Sequence, residues 1–229
     1  MIRFETGDPF PLLEEGTHSY AEEQDHASLV DAWLGLQVEP IEHKLVHERP
    51  LVSTPTQTTE RNYWVGLPVR SMLTPYTEIR TILARLNPKP GSTLIDLGAG
   101  YGRMAFVIGR HYPQVNFIGY EVIEARVRES HRCLTSWNYP LVQMQQADLA
   151  AADFKLPNAD YYFIYDYGSR EAISKTMNDL KTVAQSRAIK VIGRGGLSRN
   201  IIDRENPWLS QVHAVEHFHH YSIYNSGDR

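Results

Sequence analysis

The chain has 229 residues, 42% of them hydrophobic, which suits one sizeable domain with added structure and leaves little room for two full domains. Its net charge of −4 and isoelectric point near 6.2 argue against a broad electrostatic footprint for nucleic acid, although a local basic patch is compatible with them. A single cysteine, Cys133, excludes an internal disulfide and fits a reducing compartment, so a cytoplasmic location is the expectation. No apolar run approaches the ~20 residues that cross a bilayer, and the acidic, proline-broken start "MIRFETGDPFPLLEEG" does not read as a signal peptide.

Composition changes near residue 74, giving an extension or lid over residues 1–73 and a main domain over 74–229. The extension holds one predicted helix, "SLVDAWLGL", with Leu29, Val30, Trp33 and Leu34 on one side and Ser28 with Asp31 as its capping pair. The stretch "ERPLVSTPTQTTERN" reads as irregular linker. In "TPYTEIRTILARL" the apolar residues Ile79, Ile82, Leu83 and Leu86 recur at helical spacing, with Thr74 as cap and Pro75 in the first turn.

Strands and helices then alternate. "STLIDLG" is a strand, "RMAFVIGRHY" a helix, "VNFIGYEV" a strand and "EARVRESHRCLTSW" a helix, in which Cys133 packs. "LVQMQQAD" and "YYFIYDY" are strands. Ile173, Met177, Leu180 and Ala184 mark a helical face, and "AIKVIGR" is a further strand. Such alternation predicts an α/β fold with a mostly parallel sheet and right-handed crossovers. The tail "QVHAVEHFHHYSIYN" has two strand-like runs with no helix between them, which predicts an antiparallel C-terminal edge.

"LIDLGAGYGR" carries the chemistry. Ligands of such sheets bind beyond the carboxyl ends of the strands, and Gly98 and Gly100 permit a tight turn with close backbone approach, while Gly102 starts the next helix. The spacing is D-x-G-x-G-x-G from Asp96, and Arg103 stands where a dinucleotide site has its third glycine. A nucleoside without a pyrophosphate fits better than a nicotinamide dinucleotide, and the P-loop ending is absent. Acids close successive strands at Asp96, Glu121, Asp148 and Asp166. Glu121 lies about 20 residues past the glycines, where a carboxylate accepts two hydrogen bonds from a ribose diol. One such acid could merely cap a helix; four with the glycine loop form a pattern. Tyr165 and Tyr167 point the same way at the active end of the fourth strand. His217 and His219 share a strand face, but no acid or cysteine completes a metal set, so no metal is expected.

These motifs resemble the class I, seven-strand methyltransferases that use S-adenosylmethionine, over about residues 74–195. The resemblance implies a Rossmann-like sheet with an N-terminal helical extension. Its implied cofactor contacts are Asp96, Gly98, Ala99, Gly100, Gly102, Arg103, Glu121, Val122 and Asp148, with Asp166, Tyr165 and Tyr167 beside the reacting methyl. "LTPYTEIRTILARLNPKPGSTLIDLGAGYGR" is similar to the non-SET protein-lysine methyltransferases, in which a Pro/Tyr/Thr loop covers the cofactor; Thr74, Tyr76 and Thr77, with Pro75, match it. The fourth strand lacks both the Asn-Pro-Pro-Tyr motif of nucleobase-amine methylation and the asparagines of the histone type, and the start lacks the apolar anchor of the small lysine type. The implied reaction is in-line methyl transfer to an acceptor, a protein lysine first and a small molecule second, with a lid from residues 54–77. A non-catalytic nucleoside-binding protein on the same fold is the rival from another class.

Overall fold

The computed structural model describes residues 1–47 and 64–227. The predicted linker over 48–62, and residues 54–63 of the predicted lid, lie outside the described residues.

Among the described residues, seven strands form one sheet in the order β3-β2-β1-β4-β5-β7-β6. β1 (Thr93–Leu97), β2 (Asn116–Glu121), β3 (Val142–Gln146), β4 (Tyr161–Tyr165) and β5 (Lys190–Arg194) run parallel, and β7 (Tyr221–Asn225) pairs antiparallel with both β5 and β6 (Glu216–His217). The chain winds outward from β1 through β2 to β3, then returns to the other side of β1 with β4 and β5. The order therefore reverses between β1 and β4, where the carboxyl ends of the strands splay into a crevice. β1 and β4 are buried over four residues each because helices cover both faces of a parallel sheet.

Helices α4 (Tyr76–Leu86), α5 (Arg103–His111), α6 (Glu124–Leu134) and α7 (Arg170–Ala184) fall within a residue or two of the predicted boundaries at most ends. α7 buries Ile173, Met177 and Leu180 as its spacing requires, and its N-cap Ser169 accepts the Ala172 N–H at 3.3 Å. Cys133 is buried in α6.

The extension differs from its reading. Its helix α1 (Tyr20–Leu34) starts earlier, at a capping box of Ser19 and Glu22, and ends at Gly35 in the left-handed region, φ 76°. Ser28 lies inside the helix and donates back to the Gln24 carbonyl at 3.1 Å. Asp31 is buried, so it cannot serve as a solvent-facing cap partner. α2 (Val38–His47), α3 (Val69–Met72) and α8 (Gly196–Glu205) are additions to the predicted set. α1 packs on α4, where Phe10 stacks on Tyr76 with ring centroids 5.2 Å apart. One apolar cluster runs from Phe10, Ala27 and Val30 through α4 and α5 to β1 and β2.

Candidate active site

A cavity of about 350 Å³ opens at the crevice between the ends of β1, β2 and β4. Its floor is the glycine turn after β1. The N–H groups of Gly98 and Ala99 both reach the Tyr120 carbonyl, at 2.9 and 2.8 Å, which folds the turn back over β2. Gly98 has φ 90°, and a Cβ there would overlap the Cβ of Tyr167. Only glycine lets the β1 turn and the β4 turn approach so closely.

Glu121 closes β2 and is 5% exposed. Its Oε2 accepts the Gly100 N–H and its Oε1 the Ile123 N–H, both at 2.9 Å. Each oxygen is thereby fixed by one backbone donor and retains a lone pair. Tyr120, Val122, Ala147, Leu149 and Ala150 make an apolar slot beside it, and Asp148 turns the chain there by accepting the Ala150 N–H at 3.0 Å.

The other end of the cavity is aromatic. Tyr165, Tyr167 and Trp64 line it together with Met72 and Leu73. Trp64 donates its indole N–H to the Asp166 carbonyl, and the Tyr165 hydroxyl donates to the Ser71 carbonyl at 2.6 Å. These two bonds tie the segment 64–73 to the end of β4. The Arg194 guanidinium lies 4.1 Å from the Tyr165 ring centroid and is itself paired with Glu78, 2.8 Å away. The Tyr167 hydroxyl contacts the Ala172 carbonyl at 3.1 Å and the Thr176 hydroxyl at 2.5 Å, and burial pushes its acidity well down.

Of the residues picked from the sequence, Gly98, Gly100, Glu121, Val122, Asp148, Tyr165 and Tyr167 line this cavity. The others do not. The Asp166 carboxylate is turned away to cap α8, accepting the N–H groups of Leu197 and Ser198 at 3.2 and 2.7 Å and the Ser198 hydroxyl at 2.7 Å. This replaces its expected place beside the methyl group, and a left-handed φ of 36° produces the turn. Thr74, Tyr76 and Thr77, expected to cover the cofactor, instead hold α1. The Tyr76 hydroxyl donates to Asp31 at 2.7 Å and the Thr77 hydroxyl to Glu23 at 2.6 Å, while the Thr74 carbonyl accepts from Arg103. Arg103 is 4% exposed and ion-paired with Asp31, which satisfies its charge inside the core rather than at a ligand. Ala99 and Gly102 sit behind the turn, where a Cβ at Gly102 would meet Ser130 Oγ at 2.6 Å. Asp96 is buried below the floor, and burial followed by the Glu121 charge pushes its pKa up to about 8, so it is protonated at neutral pH. Trp64, Met72, Leu73 and the α7 residues Glu171 and Lys175 line the cavity without having been singled out. Trp64 adjoins an irregular stretch, where no periodicity could flag it. Among the described residues, no group of three His, Cys, Asp or Glu side chains comes together as a metal site would need. No helix among them is long and apolar enough to cross a membrane.

A sequence model of the O-methyltransferase domain matches residues 58–191, more than half of the chain. The chain belongs to this family. It is an S-adenosylmethionine-dependent methyltransferase, and the coarser half of the resemblance read from the glycine and acid motifs holds. No curated protein matches the sequence. Among solved structures, it is similar to an RNA methyltransferase from Salinibacter ruber in complex with S-adenosyl-L-homocysteine, at 18% identity and TM-score 0.47, over 67% of this chain and 91% of that one. A methyltransferase from Aquifex aeolicus shares 15% identity over 65% and 88% of the two chains, with TM-score 0.47. TrmN from Thermus thermophilus shares 14% identity with TM-score 0.49, over 67% of this chain and 48% of its own length.

The residues present fit the nucleoside of that cofactor. A bare glycine floor that a Cβ would fill, a fixed carboxylate with free lone pairs and an apolar slot lie side by side. Their shape and donor set suit a stacked base and a vicinal diol without any phosphate.

Proposed function

We propose that the enzyme methylates the side-chain amine of a lysine presented by another protein at the aromatic end of the cavity. The observation that carries this reading is that Trp64, Tyr165 and Tyr167 line that end of the cavity together. Aromatic faces attract a cation. In this reading Glu121 accepts the ribose diol, Val122 and Leu149 flank the base, Asp148 meets its amine, and Gly98 and Gly100 leave room for the backbone to approach. Bound S-adenosylmethionine supplies an electrophilic methyl group on its sulfonium. The chain's own contribution is alignment and exclusion of water. An ammonium at the apolar mouth loses solvation, which lowers its pKa; its proton passes to bulk water, and the freed lone pair attacks. No side-chain base is required, consistent with the Asp166 carboxylate being held by α8.

A hydroxyl of a small molecule is the second reading, favoured by the family's description as an O-methyltransferase domain. Incubating the enzyme with methyl-labelled cofactor and a cell lysate separates the two. Label recovered as methyl-lysine after protein hydrolysis supports the first reading. Label confined to the small-molecule fraction as an alkali-stable ether rejects it in favour of the second.

A further inference from the structure

A second cavity, of about 460 Å³, lies at the amino ends of β4 and β5, the opposite end of the parallel strands from the glycine turn, and shares no lining residue with the first. The turn after α4 and the start of β5 build it. Asn87, at φ 44°, ends α4 and turns the chain towards β1. The Lys89 carbonyl is fixed in that turn by the N–H and the hydroxyl of Ser92, at 3.0 and 2.6 Å. Lys190 opens β5, its N–H donating to the Asp160 carbonyl at 2.9 Å. Both lysines line the cavity, together with Arg85.

Among the described residues, these three cations share the cavity with one carboxylate, that of Asp160, and it is already engaged. Its Oδ2 accepts the Thr93 N–H at 2.7 Å, and its Oδ1 pairs with Arg187. Arg85 is engaged as well: it pairs with Glu15 at 2.6 Å, and its guanidinium lies 4.1 Å from the Phe218 ring centroid. The ammonium groups of Lys89 and Lys190 have no hydrogen bond or ion pair among the described residues. A lone lysine on a convex surface is simply hydrated. Two that converge from separate segments on one concavity repel each other and concentrate an anion between them. A carboxylate is best met by a guanidinium fork, and the one guanidinium lining the cavity is turned to Glu15 and Phe218. Lysines bind phosphate as point charges, which needs no fork.

We propose that this cavity is a second ligand site, for a small phosphate monoester whose dianion is held between Lys89 and Lys190. Its volume suits a body of sugar-phosphate size. The Asn87 amide, which also lines it, supplies a neutral donor to that body. No residue of the cofactor cavity takes part, so the site stands independently of the methyl acceptor.

The test is calorimetry on the full chain saturated with S-adenosylhomocysteine, which fills the first cavity. Ribose 5-phosphate is the probe, with inorganic phosphate and succinate as comparisons. Ribose 5-phosphate should bind saturably, one to one, with Kd below about 10 mM. Lys89→Gln combined with Lys190→Gln should weaken that binding at least about 10-fold, the scale of a hydrogen bond to a charged group, and leave the affinity for S-adenosylhomocysteine unchanged. Lys89 is exposed, so Lys89→Glu takes the place of the double variant if that does not melt cooperatively, and it should abolish binding. Succinate binding as tightly as ribose 5-phosphate overturns the selection for phosphate. Inorganic phosphate binding as tightly reduces the cavity to a place for an adventitious ion only. Binding that survives the lysine variants, or no binding of ribose 5-phosphate, overturns the proposal outright.

Discussion

Asp96 is buried against Glu121, and its titration is a property of the folded chain. Unfolded, it releases its proton near pH 4. Folded, it holds that proton up to about pH 8. Between these values the native state binds more protons than the unfolded one, so stability falls as pH rises, by at most about 1.4 kcal/mol per unit for this group. Asp96→Asn removes the dependence. In cofactor-free protein the variant should gain on the parent steadily from pH 5 to pH 8 in denaturant melts; parallel curves would mean that Asp96 is ionised when folded. Asp166 tests a different balance. Loss of its cap on α8 by Asp166→Ala should cost about 1–2 kcal/mol, and the left-handed backbone adds to that. Asp166→Asn keeps one acceptor oxygen and tolerates the backbone better, so it should melt closer to the parent and retain turnover per folded molecule within a few-fold. A loss of 100-fold or more at an unchanged melting temperature would return the carboxylate to the chemistry. From the sequence, Asp166 was one strand-end acid among four. What distinguishes it is α8, and the sequence hides α8 behind Gly195 and Gly196.

At the scale of elements, β1, β2, β4 and β5 are legible because a strand covered on both faces must be a short apolar run ended by a turn or an acid, whereas the edge strand β3 buries only Met144 and is read from its place in the alternation. Helices escape when their apolar residues are few. α8 buries only Ser198, Ile201 and Ile202, and α2 carries Pro40 in its first turn, where a proline is tolerated but reads as a breaker. α1 begins in "YAEEQDHA", whose polar residues mask the turn that Ser19 and Glu22 cap. The segment 64–73 has no period at all and is fixed from outside, by Trp64 on Asp166 and by Tyr165 on Ser71. Tyr165→Phe removes the second tie, worth about 1 kcal/mol. Cutting of the native protein within 64–73 by a protease should then quicken about 5-fold, with the melting temperature nearly unchanged. Equal cutting rates would show that the Ser71 bond carries no part of the closure.

Over the whole molecule, buried ion pairs join distant elements, and two of them tie the extension to helices of the main domain. Arg103 on α5 meets Asp31 on α1, Arg126 on α6 meets Glu42 on α2, and Arg194 on β5 meets Glu78 on α4 while donating to the Tyr20 hydroxyl. No sequence pattern announces such pairs, because partners 72, 84 and 116 residues apart leave no local spacing to read. The glycine turn and Glu121 are readable for the opposite reason: one crossover brings them together. Asp31→Ala strands the Arg103 charge in the core, at a cost of about 3–5 kcal/mol. We expect urea unfolding of the parent to be a single transition by both circular dichroism and tryptophan emission, and Asp31→Ala to shift both curves together. Separated transitions would mean that residues 1–73 fold apart from the sheet.

Trp64 also makes occupancy visible. It is the one indole lining the cavity among the described residues; Trp33 and Trp137 face each other with ring centroids 4.9 Å apart, and Trp208 donates to Asn206. A half-buried ring against a water-filled crevice emits to the red of one against a nucleoside. Filling the crevice with S-adenosylhomocysteine should therefore shift the protein's fluorescence to shorter wavelength, and Trp64→Phe should abolish that shift while Trp208→Phe preserves it. The protein thus carries an unlabelled optical gauge of its own ligation, fast enough to follow binding in a stopped-flow cell before any methyl acceptor is in hand.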